Sequence, residues 1–390
     1  MPDGRDAVAI KVIKSLSEIS ADSWDACAGA DNPFVSHAFL SALEDSGSAT
    51  RETGWLGQHL VIENPADGSV AACAPLYLKN HSYGEYVFDW GWADAYERAG
   101  GRYYPKLQCA VPFTPATGPR LLINKSLPEA QQREMQAALI AGMAQLAENL
   151  GVSSLHVTFP TEQEWDAFGD GGFLQRIGQQ FHWENKGFET FDDFLAELSS
   201  RKRKNIKKER RAVEEADLDI RILEGADITE GYWDAFFQFY MDTTDKKWGQ
   251  AYLHRPFFSL LGERLGKAVV LVVVEKDGRP VAGALNLRGA DTLYGRNWGC
   301  VADYKFLHFE ACYYQAIDYA IANGLKWVEA GAQGPHKVQR GYLPRRTYSA
   351  HWIADPGFRR AVANFLEDEA RGVDTEMMAY GRFSPFKKSE

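Results

Sequence analysis

The chain has 390 residues, 45% of them hydrophobic, and a formal net charge of −10 at neutral pH. This composition is that of a globular protein, and the length suits two domains. The acidic balance excludes a protein that coats DNA over its whole surface, although a local basic patch is compatible with binding an anion. Apolar runs such as 268–274 are far shorter than the roughly 20 residues of a membrane span, and the start lacks a signal-peptide pattern, so a cytoplasmic location is expected.

The cysteines are dispersed along the chain and form no CxxC pair. They are Cys27, Cys73, Cys109, Cys300 and Cys312. An odd number of dispersed cysteines indicates free thiols in a reducing compartment. Zinc binding needs close His/Cys spacing, which is absent. The sequence therefore predicts no metal site and no permanently bound cofactor.

The first half of the chain predicts a mixed set of strands with one long helix. Residues 59–63, 70–79 and 83–89 have the composition of strands, and a Pro-Ala-Asp-Gly turn joins the first two. Residues 127–150 predict a helix that a glycine ends. A further strand is predicted over residues 152–159.

The second half repeats this order of elements. Strands are predicted over residues 268–275, 280–288 and 292–298. A helix over 307–322 ends at an Asn-Gly pair, and the strand 325–330 follows. In both halves the order is strand, hairpin, strand, strand, helix, strand.

This order is the core of the GNAT (N-acetyltransferase) fold. The predicted fold class is therefore α/β (α+β) with two tandem GNAT-like domains, residues 1–185 and 186–390. A strand over residues 175–183 closes the first domain. The alternative is a chance recurrence of common α/β elements.

A basic segment, residues 191–215, opens the second domain and is predicted to be helical. Eight basic residues cluster at its centre: Arg201, Lys202, Arg203, Lys204, Lys207, Lys208, Arg210 and Arg211. One interpretation is a solvated helix balanced by nearby acids. The other is an anion-binding surface, because an anionic ligand would relieve the repulsion between these charges. The predicted anion-binding residues are Arg203, Lys204, Lys207, Lys208 and Arg211.

The loop after residues 325–330 is dense in polar groups, and α/β proteins place chemistry in loops at strand ends. Transfer of an acyl group to an amine needs a base for the amine proton and an acid for the leaving group. Glu329 and His336 are the predicted bases, and Tyr342 is the predicted acid. The alternatives are a salt bridge for Glu329, a structural hydrogen bond for His336 and simple packing for Tyr342.

The same region supplies candidate ligands for a substrate. Lys337 and Arg340 suit a carboxylate or phosphate, unless they are ordinary surface charges. Gln333 adds hydrogen-bonding capacity. Glu310 lies on an otherwise apolar helix face and therefore requires a partner. These four residues are predicted to bind substrate.

Residues 89–122 form an aromatic block between the third strand and the long helix of the first half. Aromatic rings stack on sugars or peptides, and charged groups bind hydroxyls or ammonium groups. The predicted substrate-binding residues here are Asp89, Trp90, Trp92, Tyr103, Tyr104 and Lys106. The alternative is an aromatic minicore capped by surface ions.

Three stretches together resemble a bacterial family of predicted N-acyltransferases, described as peptidoglycan biosynthesis or recognition proteins. This family is distantly related to the Fem-type ligases, which attach amino acids to cell-wall precursors. The stretches are the block from Asp89-Trp90 to Lys106 with Val111-Pro-Phe-Thr-Pro115, the run RKRKNIKKERR, and the helix FEACYYQ with Gly331-Ala-Gln-Gly334 and His336-Lys337. The resemblance covers nearly the whole chain.

The resemblance implies two acyltransferase-like domains in a Fem-type arrangement. It also implies an N-acyltransferase with acyl-CoA or aminoacyl-tRNA as co-substrate and a small metabolite or cell-wall precursor as acceptor. The basic segment would then contact tRNA or the membrane periphery. Two alternatives stay open, an aminoacyl-tRNA-dependent ligase and a non-catalytic protein that binds a cell-wall precursor or a nucleotide-linked ligand.

One departure from the GNAT pattern concerns the donor. Acetyl-CoA enzymes of this fold carry an Arg/Gln-x-x-Gly-x-Gly/Ala loop, whose backbone N–H groups hold pyrophosphate at a helix N-terminus. Residues 299–308 precede the second helix and contain no glycine after Gly299. The sequence therefore does not predict acetyl-CoA in its usual pose.

Overall fold

The computed structural model describes residues 9–65, 67–246, 251–331 and 334–387. The chain forms two compact units, one drawn from residues 1–178 and 347–371 and the other from residues 179–346 and 372–390. The predicted second domain included all of 186–390. Residues 347–371 instead pack with the first unit, because residues 349–353 pair with a strand of that unit.

The first part of the chain contains nine strands and five helices within the described residues. They are β1 (Ile10–Ile13), α1 (Ala21–Ala28), α2 (His37–Asp45), β2 (Leu56–Gly57), β3 (His59–Glu63), β4 (Val70–Ala74), β5 (Leu76–Lys79), α3 (Trp90–Arg98), β6 (Lys106–Cys109), β7 (Leu122–Ile123), α4 (Glu129–Leu150), β8 (Ser154–Thr158), α5 (Glu162–Asp170) and β9 (Leu174–Glu184).

The remaining elements follow the same chain order. They are α6 (Phe191–Glu197), α7 (Ser200–Glu214), β10 (Asp219–Glu224), α8 (Glu230–Lys246), α9 (Arg255–Leu265), β11 (Val269–Lys276), β12 (Arg279–Arg288), β13 (Thr292–Cys300), α10 (Leu307–Phe309), a π-helical turn (Glu310–Tyr314), α11 (Gln315–Ala322), β14 (Trp327–Glu329), a 3-10 helix (Pro335–Arg340), β15 (Leu343–Ile353) and α12 (Pro356–Arg382).

In the first unit, β1, β3, β4 and β7 form an antiparallel group in that order. A second group pairs β2 with β5 and β5 with β6 in antiparallel fashion, β6 with β8 in parallel, and β8 with β15 in antiparallel fashion. α4 buries Leu139, Ile140 and Met143 in the core of this unit. Gly151 ends α4 in the left-handed conformation, which confirms the predicted helix end.

Two predicted strands of the first unit differ from the structure. The single strand predicted over residues 70–79 is divided at Pro75 into β4 and β5, because proline has no N–H with which to continue a ladder. Residues 83–89 form a loop instead of a strand, since Gly84 and Tyr86 both adopt positive φ angles. The strand in this position is β6, which follows α3.

In the second unit, β10, β11, β12 and β13 form successive antiparallel pairs. β14 pairs in parallel with β13 and in antiparallel fashion with β9. Residues 269–274 of β11 are all valine or leucine and are all buried, as in a strand that is covered on both faces. The predicted strands and helix of this half are confirmed with shifts of one or two residues at their ends.

Two helical segments depart from a simple α-helix. The helix predicted over residues 307–322 contains the π-helical turn at its centre, and such turns occur often at functional sites. The basic segment is two helices, because Leu198 is extended and bridges to Phe386 while the Ser199 N–H donates to the Pro385 carbonyl. Within the described ranges, no helix is long and apolar enough to cross a membrane.

Candidate active site

Two parallel strands of the second unit separate beside a buried glutamate. β13 and β14 pair over residues 292–294 and 327–329, after which β13 continues to Cys300. Glu329, 9% exposed, is the last residue of β14. A Cβ atom on Gly295 would lie 3.3 Å from the Glu329 carbonyl oxygen, so glycine suits the point where the strands part.

The neighbouring strand places a histidine beside Glu329. His182 of β9 lies directly opposite Glu329 in the antiparallel register, with its Nδ1 3.9 Å from the Glu329 Oε1. Burial, aided by the charges of Arg345 and Lys337, lowers the pKa of His182 to about 3. The imidazole is therefore neutral at pH 7, and its contact with Glu329 is not an ion pair. Sequence reasoning missed His182, whose only signal is one polar residue within a strand.

Lys337 stabilises the loop that follows Glu329 through hydrogen bonds to its backbone. Its Nζ donates to the carbonyl oxygens of Ala330 (2.6 Å) and Gly331 (2.9 Å). Burial lowers the pKa of Lys337 to about 8. This predicted substrate ligand therefore makes its observed hydrogen bonds to the protein backbone. Gln333, also predicted to bind substrate, lies outside the described residues.

His336 lies at the surface next to the π-helical turn. Its Nε2 and the Tyr313 hydroxyl are 2.9 Å apart. Partial burial, together with the charges of Arg340 and Lys337, lowers the pKa of His336. A neutral, accessible imidazole of this kind is able to accept a proton near pH 7, which suits the predicted role of His336 as a base.

Arg340 is held by protein groups on every side of its guanidinium. Nη2 lies 2.8 and 2.9 Å from the two carboxylate oxygens of Glu209, Nε donates to the Tyr314 hydroxyl, and the plane lies 3.4 Å from the centre of the Phe309 ring. The Tyr314 hydroxyl also donates to Glu209. Arg340 was predicted to bind substrate, whereas the structure shows it pairing the loop to α7.

Glu310 has the partner that its position on an apolar face required. Its Oε1 lies 3.0 Å from Arg210 Nη2, which also lies 2.8 Å from Asp318 Oδ2. Burial raises the pKa of Glu310, and the Arg210 charge opposes that rise. Arg210 and Glu209 were not among the predicted site residues, because in sequence they are two more charges within a charge run.

Tyr342, the predicted acid, is a core residue. Its side chain is completely buried, and its hydroxyl donates to the Tyr313 carbonyl at 3.2 Å. Burial raises the pKa of Tyr342 well above its ordinary value. A leaving group would have to reach the interior of the unit to take this proton.

In the first unit, three predicted substrate ligands bind one another in the interior. The Lys106 ammonium donates to Ser82 Oγ (2.7 Å), Glu85 Oε2 (2.7 Å) and Asp89 Oδ2 (2.5 Å). Tyr103 donates its hydroxyl hydrogen to the same Asp89 oxygen at 2.6 Å. Lys106, Asp89 and Tyr103 are all buried. Burial alone would raise the pKa of Asp89, but Lys106 and His156 hold it well below its ordinary value.

Two histidines extend this cluster through the strands. His156 Nε2 lies 3.1 Å from the Tyr103 hydroxyl and 2.9 Å from Ser154 Oγ. His156 Nδ1 lies 2.7 Å from His351 Nδ1, so one of these two nitrogens donates and the other accepts. Burial lowers the pKa of His156 to about 3 and also holds the pKa of His351 well below its ordinary value. Sequence reasoning missed this pair, because the strands that place the two rings opposite each other are 195 residues apart.

The other predicted aromatic residues divide between core and surface. Trp92 is buried against His351, with ring centres 4.8 Å apart. Trp90 is 39% exposed and contacts Tyr83 edge to face. Tyr104 is half-buried, with its hydroxyl 2.9 Å from Ser82 Oγ. The block is therefore a packed minicore with an exposed aromatic rim, and its charged residues Asp89 and Lys106 are buried rather than at the surface as in the alternative interpretation. Substrate binding by these residues stays a prediction.

The predicted anion-binding residues of α7 have different surroundings. Arg203 is half-buried, and Lys207 Nζ lies 3.0 Å from Asp192 Oδ1. Lys204, Lys208 and Arg211 are exposed.

The chain belongs to the FemAB-like family of peptidoglycan biosynthesis/recognition proteins, whose family model matches residues 15–388. The family predicted from the sequence is thereby confirmed. No match was found among curated proteins.

Two solved structures share the fold over most of their length. The crystal structure of FemX is 11% identical, with a TM-score of 0.53 over 91% of this chain and 100% of FemX. The C-terminal domain of an Agrobacterium fabrum protein assigned as a lysylphosphatidylglycerol synthetase is 10% identical, with a TM-score of 0.54 over 91% of this chain and 97% of that domain. The FemX match confirms the predicted Fem-type fold.

Proposed function

We propose that the protein is an N-acyltransferase that joins an acyl or aminoacyl group to an amine of a peptidoglycan precursor. The observation that carries this proposal is the position of Glu329 where β13 and β14 separate. Backbone groups along separating strands offer hydrogen bonds to an extended donor arm, and a carboxylate at that point lies next to the donor's reactive end. Membership of the FemAB-like family supports a peptidoglycan precursor as acceptor.

The reaction forms a bond between the amine nitrogen and the donor's carbonyl carbon. The bond from that carbon to an ester oxygen or a thioester sulfur breaks, and the leaving group departs with the bonding electrons. An acceptor ammonium loses one proton before it attacks and a second as the amide forms, and the leaving oxygen or sulfur takes up one proton from solvent. In this proposal the Glu329 carboxylate takes the first of these protons, directly or through one water, and the second passes to solvent.

The neighbours of Glu329 suit this role. His182 is neutral at pH 7 because burial depresses its pKa, so it does not compete as a charged partner for the carboxylate. Lys337 holds the carbonyls of Ala330 and Gly331, which fixes the backbone directly after the base. A catalytic group needs such positioning to within a fraction of an ångström.

His336 is the second candidate base that the sequence predicted. Its lowered pKa and its surface position suit proton transfer to solvent. In the proposed reaction it serves as the group that passes the proton onward, whereas Glu329 contacts the amine. Substituting each residue separately distinguishes the two roles.

The test is a transfer assay with a lysine-containing, nucleotide-linked muramyl pentapeptide as acceptor. Radiolabelled acetyl-CoA and radiolabelled alanyl-tRNA are supplied in separate reactions, and label in the pentapeptide is measured. We expect transfer from one donor and a rate about 100-fold lower for Glu329→Gln, the usual scale for loss of a positioned base.

Glu275→Gln is the matched control, since Glu275 is also a second-unit glutamate with 9% exposure, and it pairs with Arg221 on β10. Its transfer rate should equal that of the wild type. A protein that binds the pentapeptide but transfers label from neither donor would instead be a recognition protein, and the proposal would fail.

A further inference from the structure

α7 carries a row of exposed cations on the side that faces away from the core. With 100° of rotation per residue, four basic residues fall within an arc of about 80°. They are Arg201, Lys204, Lys208 and Arg211, all exposed. Ile206 and Val213 lie on the opposite side and are buried in the second unit. The core contacts of α7 therefore fix the direction of this row.

The charges of these four residues are available to bind an anionic partner. Lys207 and Arg210 have carboxylate partners in Asp192 and Glu310. In the described part of the chain, no ion pair involves any of the four residues of the row. A protein of net charge −10 thus presents a concentrated positive face here.

Large apolar side chains are exposed near the segment that contacts the beginning of α7. The N–H of Ser199, the residue directly before α7, donates to the Pro385 carbonyl at 2.9 Å. Phe383, two residues before that contact, is 63% exposed, and Met378 on the last turns of α12 is 68% exposed. Exposed apolar side chains in a segment that contacts a basic helix are typical of an interaction surface.

We infer that this basic face docks on a lipid bilayer that contains anionic headgroups. The cations of α7 contact lipid phosphates, and Phe383 and Met378 enter the interfacial region of the bilayer. A nucleic acid would use the same cations, but Met378 has no ring on which a base would stack, whereas both apolar side chains suit a membrane interface. The inference is independent of the proposed transferase activity.

The test is co-sedimentation of the full chain with two kinds of vesicle, pure phosphatidylcholine and phosphatidylcholine with one quarter phosphatidylglycerol. We expect binding only to the anionic vesicles and weakening as salt rises. Replacing all four cations of the row by glutamine should weaken binding about 1,000-fold, since each contributes about 1 kcal/mol near an anionic surface. Phe383→Ser should weaken it about tenfold through the loss of buried apolar area.

A control variant makes the same change in net charge elsewhere. It replaces four exposed cations of the first unit by glutamine: Arg98, Arg102, Lys125 and Arg133. This control should bind anionic vesicles as the wild type does. If both fourfold variants lost the same amount of vesicle binding, the loss would be due to net charge alone, and the inference would be overturned. Binding of bulk tRNA that needs the row, with no binding to anionic vesicles, would also overturn it and assign the surface to RNA.

Discussion

In the first unit Lys106 is enclosed and donates to three oxygens, whereas in the second unit His336, on the loop that follows Glu329, is exposed at the surface. Both units bury charged residues close to aromatic rings. The second unit combines a buried carboxylate, Glu329, with an accessible imidazole of lowered pKa, His336.

This difference separates two uses of the same residue types. A buried cluster of opposite charges fixes a local conformation, because removing one charge leaves another uncompensated. A reactive site needs groups that the substrate can reach. On this basis we propose that the first-unit cluster stabilises its fold and that the chemistry takes place in the second unit.

Lys106→Met is the sharpest test of the first half of this comparison. It leaves the carboxylates of Glu85 and Asp89 buried without their ammonium, so we expect a loss of about 4 kcal/mol in the free energy of unfolding. Denaturant titration measures it. Lys208→Met removes a surface lysine of α7 as the control and should leave stability close to that of the wild type. A stable Lys106→Met protein with impaired substrate binding would show that the cluster is a binding site.

Arg340→Ala should behave as a structural change in the second unit. The side chains of Arg340 and Glu209 are 8% and 16% exposed, so breaking their pair should cost about 3 kcal/mol of unfolding free energy. Substrate affinity measured at a temperature where the variant is folded should change little. A variant of normal stability with a raised Michaelis constant would instead restore the sequence prediction that Arg340 binds substrate.

The buried histidines of both units should resist protonation. Since burial lowers the pKa of His156 and His182 to about 3, both imidazoles should stay neutral between pH 7 and pH 5 in nuclear magnetic resonance spectra. A histidine in the unfolded chain takes up a proton near pH 6.5, whereas these two stay neutral in the folded protein. Each of them should therefore lower the free energy of unfolding by about 1.4 kcal/mol for every pH unit below 6.5, down to about pH 3. Protonation of either ring near pH 6.5 would contradict the buried positions.

Tyr342→Phe should have the smallest effect. It removes one buried hydroxyl and its hydrogen bond to the Tyr313 carbonyl, which should cost about 1 kcal/mol of unfolding free energy. The transfer rate should be unchanged because the hydroxyl lies in the core. A rate about 100-fold lower would establish Tyr342 as the acid that the sequence predicted.

The repeated order of strands and helices was predictable from the sequence, because apolar runs and Asn-Gly or Gly stops are local signals. The proline at position 75 was a local signal for the division into β4 and β5, but the prediction of a single strand over residues 70–79 did not use it. The pairing of β8 with β15 had no local signal, since the sequence of a segment does not show which distant segment it pairs with. This pairing joins residues 349–353 to the first unit.

The candidate site was predictable only in part for a related reason. Glu329 and His336 stand out in the sequence as polar groups at a strand end. The contacts of His182 with Glu329, of Glu209 with Arg340 and of Arg210 with Glu310 each join residues at least 100 positions apart. Arg340 and Lys337 were identified as cations, but their carboxylate and carbonyl partners depend on the folded chain.

The most direct measurement compares single-turnover transfer rates of the wild type and Glu329→Gln from pH 6 to pH 10. With Glu329 as the base, the variant should be about 100-fold slower at pH 7, and the gap should narrow toward pH 10 as the acceptor amine loses its proton unaided. Full activity of Glu329→Gln across this range, together with a slow His336→Ala variant, would contradict the account and identify His336 as the base.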